Sequence, residues 1–184
     1  PSYTFSSTES GTILSSGSCS SSTSNASTGN NTISFNQLAD GTYSNCGIQV
    51  RDAASNTSDN LTVSSFTIDT VKPVLAQVTS IGSTSDSTPA YTFSSTEAGT
   101  ITYGGSCSSS TNTAAADNNT VSFNQLADGT YSNCFLSVTD SASNTSDNLT
   151  VSSFTVSTTS AELTQVTEVT SPTNDNTPNY TFSS

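Results

Sequence analysis

The sequence predicts an all-β fold made of tandem antiparallel β-sandwiches, with about seven short strands in each repeat of about 88 residues. Three observations support this prediction. Apolar and polar residues alternate in short runs, no segment has helical periodicity, and the whole pattern recurs at a fixed spacing. A sandwich strand needs only one apolar face, so this fold tolerates a leucine, isoleucine, valine and phenylalanine content of only 33 in 184 residues.

The repeat is read from two motifs. Pro-x-Tyr-Thr-Phe-Ser-Ser begins at Pro1, Pro89 and Pro178, and the twelve residues that begin at Phe35 recur unchanged from Phe123. This phase places a boundary near residues 70–73. We therefore expect a segment of a longer array with three parts: a repeat lacking its first strand (1–70), a complete repeat (71–158), and the first strands of the next repeat (159–184).

Alternation between turn signals predicts the strands of the complete repeat. Turns are expected at the glycine pair 104–105, at 117–119 and at Ala127-Asp-Gly129. The predicted strands cover residues 74–79, 90–95, 100–104, 120–124, 130–139 and 148–157, with a further short strand near 106–112.

Charge and composition exclude several classes of function. The chain has 2 Lys and Arg residues against 14 Asp and Glu residues, a net charge of −12. Such a polyanion is repelled by nucleic acid, and no apolar run is long enough for direct membrane insertion. There is no histidine, so a Ser/His or Cys/His nucleophile cannot be assembled. The sequence therefore predicts a protein that is not an enzyme.

The four cysteines are Cys19, Cys46, Cys107 and Cys134, and the two members of each repeat lie 27 residues apart. Four thiols allow three pairings, and the repeat symmetry selects Cys19 with Cys46 and Cys107 with Cys134. Zinc binding is the alternative, but neither histidine nor clustered cysteines support it. Structural disulfides imply an oxidising compartment.

Several motifs together resemble the bacterial Ig-like repeats of large surface adhesins and biofilm-associated proteins. They are Asp40-Gly-Thr-Tyr43, Val50-x-Asp52-Ala-Ala-Ser-Asn-Thr-Ser58, the stretch from Phe66 to Pro73, and Ser171-Pro-Thr-Asn-Asp-Asn-Thr-Pro178. The resemblance implies immunoglobulin-like sandwiches at an extracellular location or cell surface. Two features depart from the family: serine replaces its usual glycine at Ser55 and Ser143, and one extra residue predicts a β-bulge near Asn45.

The same resemblance implies a calcium site, because acidic residues at repeat junctions of related adhesin arrays bind calcium. Calcium needs several oxygen ligands. The alternative is that these side chains only form solvated turns. The candidate ligands are Asp52, Asn56, Asp59, Asp69, Asp86, Asp140, Asn144, Asp147 and Asp175.

These observations favour a structural role, as a stalk, spacer or building block of an adhesin or surface filament. The expected partners are neighbouring repeats and identical chains in a fibre. The alternative is a binding module whose loops recognise a glycan, a host protein or ice. The variable loop, 24–29 against 112–117, lacks the aromatic anchors that binding sites favour, and only Tyr103 adds a surface aromatic.

Overall fold

The computed structural model describes all 184 residues and contains twenty β-strands and no helix. The all-β prediction is therefore confirmed, with several antiparallel sheets arranged as a sandwich-type fold. No helix is present that could cross a membrane. Contacts divide the chain into two compact units, Pro1–Val71 and Lys72–Ser184, each described by itself.

Unit 1 (Pro1–Val71) contains eight strands in three small sheets. The sheets have the orders β1-β4, β3-β2-β6-β7 and β5-β8, and every strand pair is antiparallel. The strands are β1 (Ser2–Ser7), β2 (Gly11–Ser16), β3 (Asn25–Ala26), β4 (Gly29–Ser34), β5 (Gly41–Tyr43), β6 (Gly47–Arg51), β7 (Leu61–Thr62) and β8 (Phe66–Ile68).

Unit 2 repeats these strands and places two more before them. The additional strands are β9 and β10, which join the orders β14-β11-β9 and β10-β18-β15, beside the sheet β13-β12-β16-β17. The strands are β9 (Leu75–Thr79), β10 (Ser83–Thr84), β11 (Ala90–Ser95), β12 (Gly99–Gly104), β13 (Thr113–Ala114), β14 (Asp117–Ser122), β15 (Gly129–Tyr131), β16 (Phe135–Thr139), β17 (Leu149–Thr150) and β18 (Phe154–Val156).

One pair departs from the antiparallel pattern. β10 pairs with β18 in parallel, with Ser83 opposite Thr155 and Thr84 opposite Val156. The segment from β9 to β10 therefore leaves the sheet of β11 and joins the sheet of β18, linking the two layers of the sandwich through backbone hydrogen bonds.

The last part of unit 2 is a small antiparallel hairpin of β19 (Thr164–Thr167) and β20 (Thr181–Ser183). Its register reproduces that of β9 and β11. Gln165 lies opposite Phe182, just as Gln77 lies opposite Phe93. Every residue from 161 to 184 is exposed, so this hairpin has strand pairing without a core.

Stacked aromatic rings form the centre of each core. In unit 2, Phe123 lies between Tyr91 and Phe154, with ring centroids 6.0 Å apart on both sides, and Tyr131 stacks on Phe154 at 5.2 Å. Unit 1 repeats the stack with Tyr3, Phe35, Phe66 and Tyr43. Buried aromatic pairs of this kind contribute packing energy beyond the area they bury.

Strand boundaries differ from the sequence prediction in places. The single strand predicted over 130–139 is two strands. β15 ends at Tyr131 and pairs with β18, whereas β16 begins at Phe135 and pairs with β12. The predicted strand over 148–157 divides in the same way, into β17 and β18. The short strand lies at Thr113–Ala114 rather than 106–112, and 117–119 begins β14 instead of forming only a turn.

In unit 1, a break between two strands takes the place of the β-bulge expected near Asn45. β5 ends at Tyr43 and β6 begins at Gly47, and the two strands belong to different sheets. Both neighbouring side chains still face inward, because Tyr43 stacks on Phe66 and Cys46 is buried. The extra residue is absorbed by a change of sheet rather than by a bulge.

Candidate functional site

Each unit contains one buried disulfide, which joins the loop between β2 and β3 to the segment between β5 and β6 in unit 1, and the equivalent segments in unit 2. The bonds join Cys19 to Cys46 and Cys107 to Cys134, the pairs that the repeat symmetry selects. All four residues are buried. The turn before each first cysteine requires glycine, because Gly105 has a φ of +75° and an added Cβ would collide with the carbonyl oxygen of Asn133. The disulfide thus lies where two loops already approach closely.

The loop that contains Asp52 is closed by hydrogen bonds from Asn56. The carboxylate of Asp52 accepts hydrogen bonds from the backbone and side-chain N–H groups of Asn56, both at 2.8 Å. Asp140 accepts the same two bonds from Asn144, also at 2.8 Å. Because the asparagine presents its NH₂ group to the carboxylate, its amide would have to flip to offer an oxygen to a cation.

These bonds change the acidity of both carboxyl groups. The side-chain and backbone hydrogen bonds from Asn56 lower the pKa of Asp52. Burial is the largest single influence on Asp140 and raises its pKa, but the hydrogen bonds from Asn144 and from the backbone of Ala142 and Ser143 together outweigh it, so the pKa of Asp140 is also lowered. Both loops therefore favour the charged carboxylate, as hydrogen bonding to the charged form does.

Ser55 and Ser143 occupy a left-handed conformation in their two loops. The φ of Ser55 is 74° and that of Ser143 is 73°. The backbone N–H of each serine donates to the carbonyl of Asp52 or Asp140 at 3.1 and 3.3 Å. A residue with a Cβ is strained in this conformation, so glycine would be favoured at both positions.

The other candidate calcium ligands have local partners. Asp86 and Asp175 form equivalent Asx-turns, in which they accept from the backbone N–H groups of Thr88 and Thr177 at 2.8 and 2.9 Å. Asp147 forms an exposed ion pair with Lys72 at 2.7 Å.

Two candidates remain. Asp69 accepts from the backbone of Val71 at 3.1 Å. Asp59 accepts a bond from Ser58 through its backbone carbonyl. Calcium binding by this set stays a prediction.

Sequence reasoning missed a second pair of structural carboxylates, Asp40 and Asp128. Asp128 accepts from the backbone N–H and hydroxyl of Thr158 at 3.0 and 2.7 Å, and from the hydroxyl of Thr159 at 2.9 Å. These bonds lower the pKa of Asp128. In unit 1, Asp40 accepts from Thr70 at 2.9 Å. Each carboxylate ties the turn before β5 or β15 to the segment that follows β8 or β18.

A tyrosine closes the same turn from the other side. The hydroxyls of Tyr43 and Tyr131 donate to the carbonyls of Ala39 and Ala127, both at 2.9 Å. This bond resembles the tyrosine corner of immunoglobulin-like domains, in which a tyrosine hydroxyl bonds back to the backbone a few residues upstream. The signal was present in the sequence as the repeated Leu-Ala-Asp-Gly-Thr-Tyr.

The variable loop keeps its conformation although its sequence changes. The side-chain oxygen of Asn31 accepts from the backbone of Ser27 at 2.8 Å, and Asn119 accepts from Ala115 at the same distance. Tyr103, the surface aromatic of the sequence analysis, packs partly against the core and donates its hydroxyl to Thr111 at 2.7 Å.

No protein-family model matches the sequence. A search of curated proteins likewise found no match.

Proposed function

We propose that this chain is a non-enzymatic structural segment of a long extracellular bacterial protein, acting as a stalk, spacer or building block of an adhesin or surface filament. The observation that carries the proposal is that the same loop structures, as well as the same strands, recur in the two units. Four features recur at a spacing of 88 residues: the disulfide, the loop closed by Asp52 and Asn56 or by Asp140 and Asn144 (the Asp–Asn loop), the tyrosine bond to the backbone, and the variable loop. A spacer needs the same unit many times.

Three features support an extracellular Ig-like repeat. The two disulfides are compatible with an extracellular protein, because such bonds persist in oxidising compartments. The hydrogen bonds of Tyr43 and Tyr131 resemble the tyrosine corner of immunoglobulin-like architecture. The sequence motifs resemble bacterial Ig-like repeats, and a small, sparsely apolar domain gains stability from its disulfide.

The proposed absence of catalysis is supported by the roles of the polar groups. Asp52, Asp128 and Asp140 hold backbone and side-chain donors of their own loops, and their lowered pKa values suit permanent anions rather than groups that exchange protons at neutral pH. The net charge of −12 disfavours nucleic acid as a partner. The proposed partners are neighbouring repeats and identical chains.

The proposal is tested by changing the number of repeats. Chains with two, four and eight copies of residues 71–158 are displayed on a bacterial surface with one fluorescent tag at the far end. A spacer raises the tag's distance from the cell surface in proportion to the number of copies. A tag distance that does not grow with copy number would contradict the spacer role.

The alternative function, a binding module, can be distinguished from a spacer because its ligand binding should depend on the loop sequence. Binding to a glycan array or to ice should depend on the variable loop, so exchanging residues 112–117 for 24–29 should change it. The spacer proposal is supported by the conserved fold of the variable loop and by the hydroxyl of Tyr103, which donates to a carbonyl within the unit. Saturable binding that this exchange abolishes would favour the binding module.

A further inference from the structure

The chain contains eight Asn-x-Ser/Thr tripeptides, the acceptor motif of N-linked glycans. Serine and threonine are so common in this sequence that the motif also arises by chance, so only the structure can show which asparagines can accept a sugar. Two of the eight, at Asn25 and Asn179, have no asparagine at the corresponding position of the neighbouring repeat. The other six form three pairs that recur 88 residues apart: Asn30 and Asn118, Asn56 and Asn144, and Asn60 and Asn148.

Two groups of the motif must be accessible to the transferring enzyme. The sugar is attached to the Nδ2 atom of the asparagine, and the motif requires the hydroxyl of the third residue. An acceptor site in the folded chain therefore needs an exposed amide and an exposed hydroxyl, neither of them held by an internal hydrogen bond.

The pair Asn56 and Asn144 fails on both groups. The Nδ2 atom of Asn144 donates to the carboxylate of Asp140 at 2.8 Å. The third residue, Ser146, is buried, and its hydroxyl accepts from the backbone N–H of Val138 at 2.9 Å. Unit 1 repeats both bonds, at 2.8 and 3.0 Å. A glycan at either asparagine would require the Asp–Asn loop to open.

The pair Asn30 and Asn118 meets only one of the two requirements. The side chain of Asn118 is exposed and makes no hydrogen bond. The hydroxyl of Thr120, however, pairs with that of Thr92 at 3.0 Å, and unit 1 repeats this pair at 2.9 Å. Both tripeptides also lie inside a paired strand, opposite residues of β11 or β1. They are therefore poorer acceptors than a tripeptide with both groups free.

The pair Asn60 and Asn148 meets both requirements. Asn148 and Thr150 are exposed, and neither side chain makes a hydrogen bond. They lie at the start of β17, the outermost strand of its sheet, so one side of the tripeptide faces no neighbouring strand. In unit 1, Asn60 and Thr62 are exposed at the equivalent strand, β7. Asn60 accepts from Ser16 at 3.3 Å through its oxygen only, which leaves the Nδ2 atom free.

A shallow cavity lies beside Asn148. Its volume is about 120 Å³, and its lining combines the apolar residues 73–75 and Leu149 with the ion pair of Lys72 and Asp147. A sugar ring has an apolar C–H face and polar hydroxyls at its edge, so a mainly apolar lining with a few polar groups suits it. A sugar on Asn148 can therefore pack over Val74, which is otherwise 61% exposed.

We propose that Asn60 and Asn148 carry N-linked glycans, whereas Asn56 and Asn144, four residues earlier, do not. The donor is an oligosaccharide bonded through a phosphate to a polyisoprenoid lipid. The Nδ2 atom attacks the anomeric carbon of the first sugar, and the bond from that carbon to the phosphate oxygen breaks. One amide proton passes to the released phosphate, and Nδ2 keeps the other. The inference rests on the proposed extracellular location and does not depend on the spacer role.

The glycans would cover the outer edges of β7 and β17. An uncovered strand edge presents N–H and C=O groups that can pair with another chain. A bulky, hydrophilic glycan beside each edge blocks such pairing and adds no charge to a chain whose net charge is already −12.

The test maps sugars on the native protein collected outside the cells that make it. A protease that cleaves before aspartate separates the paired motifs, because Asp147 lies between Asn144 and Asn148, and Asp59 gives the same separation in unit 1. Mass spectrometry should find peptide 140–146 unmodified and a sugar on the peptide that begins at residue 147. Occupancy should differ roughly tenfold or more, because a hydrogen bond to a carboxylate must be broken only at Asn144.

Two substitutions at the exposed Thr150 provide matched controls in the same cells. T150A removes the motif but keeps Asn148, so the peptide that begins at residue 147 should lose its sugar. T150S keeps the motif and should retain the sugar. The disulfide between Cys107 and Cys134, mapped in the same digest, reports that both variants are folded.

The outcomes separate this inference from the proposed location. Bare Asn60 and Asn148 on an extracellular, disulfide-bonded chain would overturn the inference and leave the location intact. Equal occupancy of Asn144 and Asn148, or a sugar retained in T150A, would also overturn it. A chain found only inside the cell with free thiols would overturn the location and the inference with it.

Discussion

The serine at the left-handed position of the Asp–Asn loop gives the sharpest stability prediction. Ser143 has a φ of 73° and is exposed. A left-handed conformation costs a residue with a Cβ about 1–2 kcal/mol. Glycine avoids that cost but loses about 0.5–1 kcal/mol through its greater freedom in the unfolded chain. S143G should therefore stabilise unit 2 by about 0.5–1 kcal/mol, with the loop's hydrogen bonds retained.

Native-state hydrogen exchange read by mass spectrometry resolves this effect within unit 2. Protection of the β16 amides should rise by a factor of about 2–5, which is the same free energy expressed as an equilibrium constant. The transition temperature should rise by roughly 2–8 °C. S143A and S141G are the controls, because the first keeps the Cβ and residue 141 does not have a positive φ. Equal stabilisation by S143A, or none by S143G, would refute the argument from backbone strain.

Three further predictions concern the disulfide, the Tyr131 hydrogen bond and the Asp128 carboxylate. Replacing both Cys107 and Cys134 by serine should cost roughly 3–4 kcal/mol, because the 27-residue separation sets the loop entropy restored to the unfolded chain, and urea unfolding would measure it. Y131F removes the hydrogen bond to Ala127 and should lower the free energy of unfolding by about 1 kcal/mol in the same urea experiment. Y180F is the control, because Tyr180 lies in the exposed hairpin. The lowered pKa of Asp128 gives stability that is complete above its unfolded value near 3.8 and is lost as pH falls through the lower folded value, so D128N should flatten the decline of stability in acid; an unchanged acid profile would contradict this.

Local pattern was enough to predict the strands that alternate cleanly. β11 was predicted with its observed bounds because Tyr91 and Phe93 alternate with polar residues between a proline and a turn. The break between Tyr131 and Phe135 was not predictable in this way, because both sides of it continue an extended chain. Only the change of partner, from β18 to β12, reveals two strands. β10 is two residues long and has no period to detect.

Among the polar sites, too, some can be predicted from the sequence and others depend on tertiary contacts. The cysteine pairs follow from counting and symmetry. The role of Asp128 depends on Thr158, which lies 30 residues away, so no local pattern shows it. The departure at Ser55 and Ser143 was visible in the sequence, but its meaning required the backbone angle. Tertiary contacts, rather than propensity, decide which of many Ser, Thr, Asn and Asp residues are structural.

The parallel pairing of β10 with β18 determines how unit 2 responds to tension. β10 lies near the start of the complete repeat (71–158) and β18 near its end, and they are joined by bonds from Thr155 to Gly82 at 3.2 Å and from Ser157 to Thr84 at 2.9 Å. When opposite ends of two parallel strands are pulled apart, the load acts along the strands and stretches these bonds together. In an antiparallel pair pulled from the same end, the hydrogen bonds would break one after another. Tension applied to the two ends of the repeat would therefore load these bonds in shear, so that they share the force.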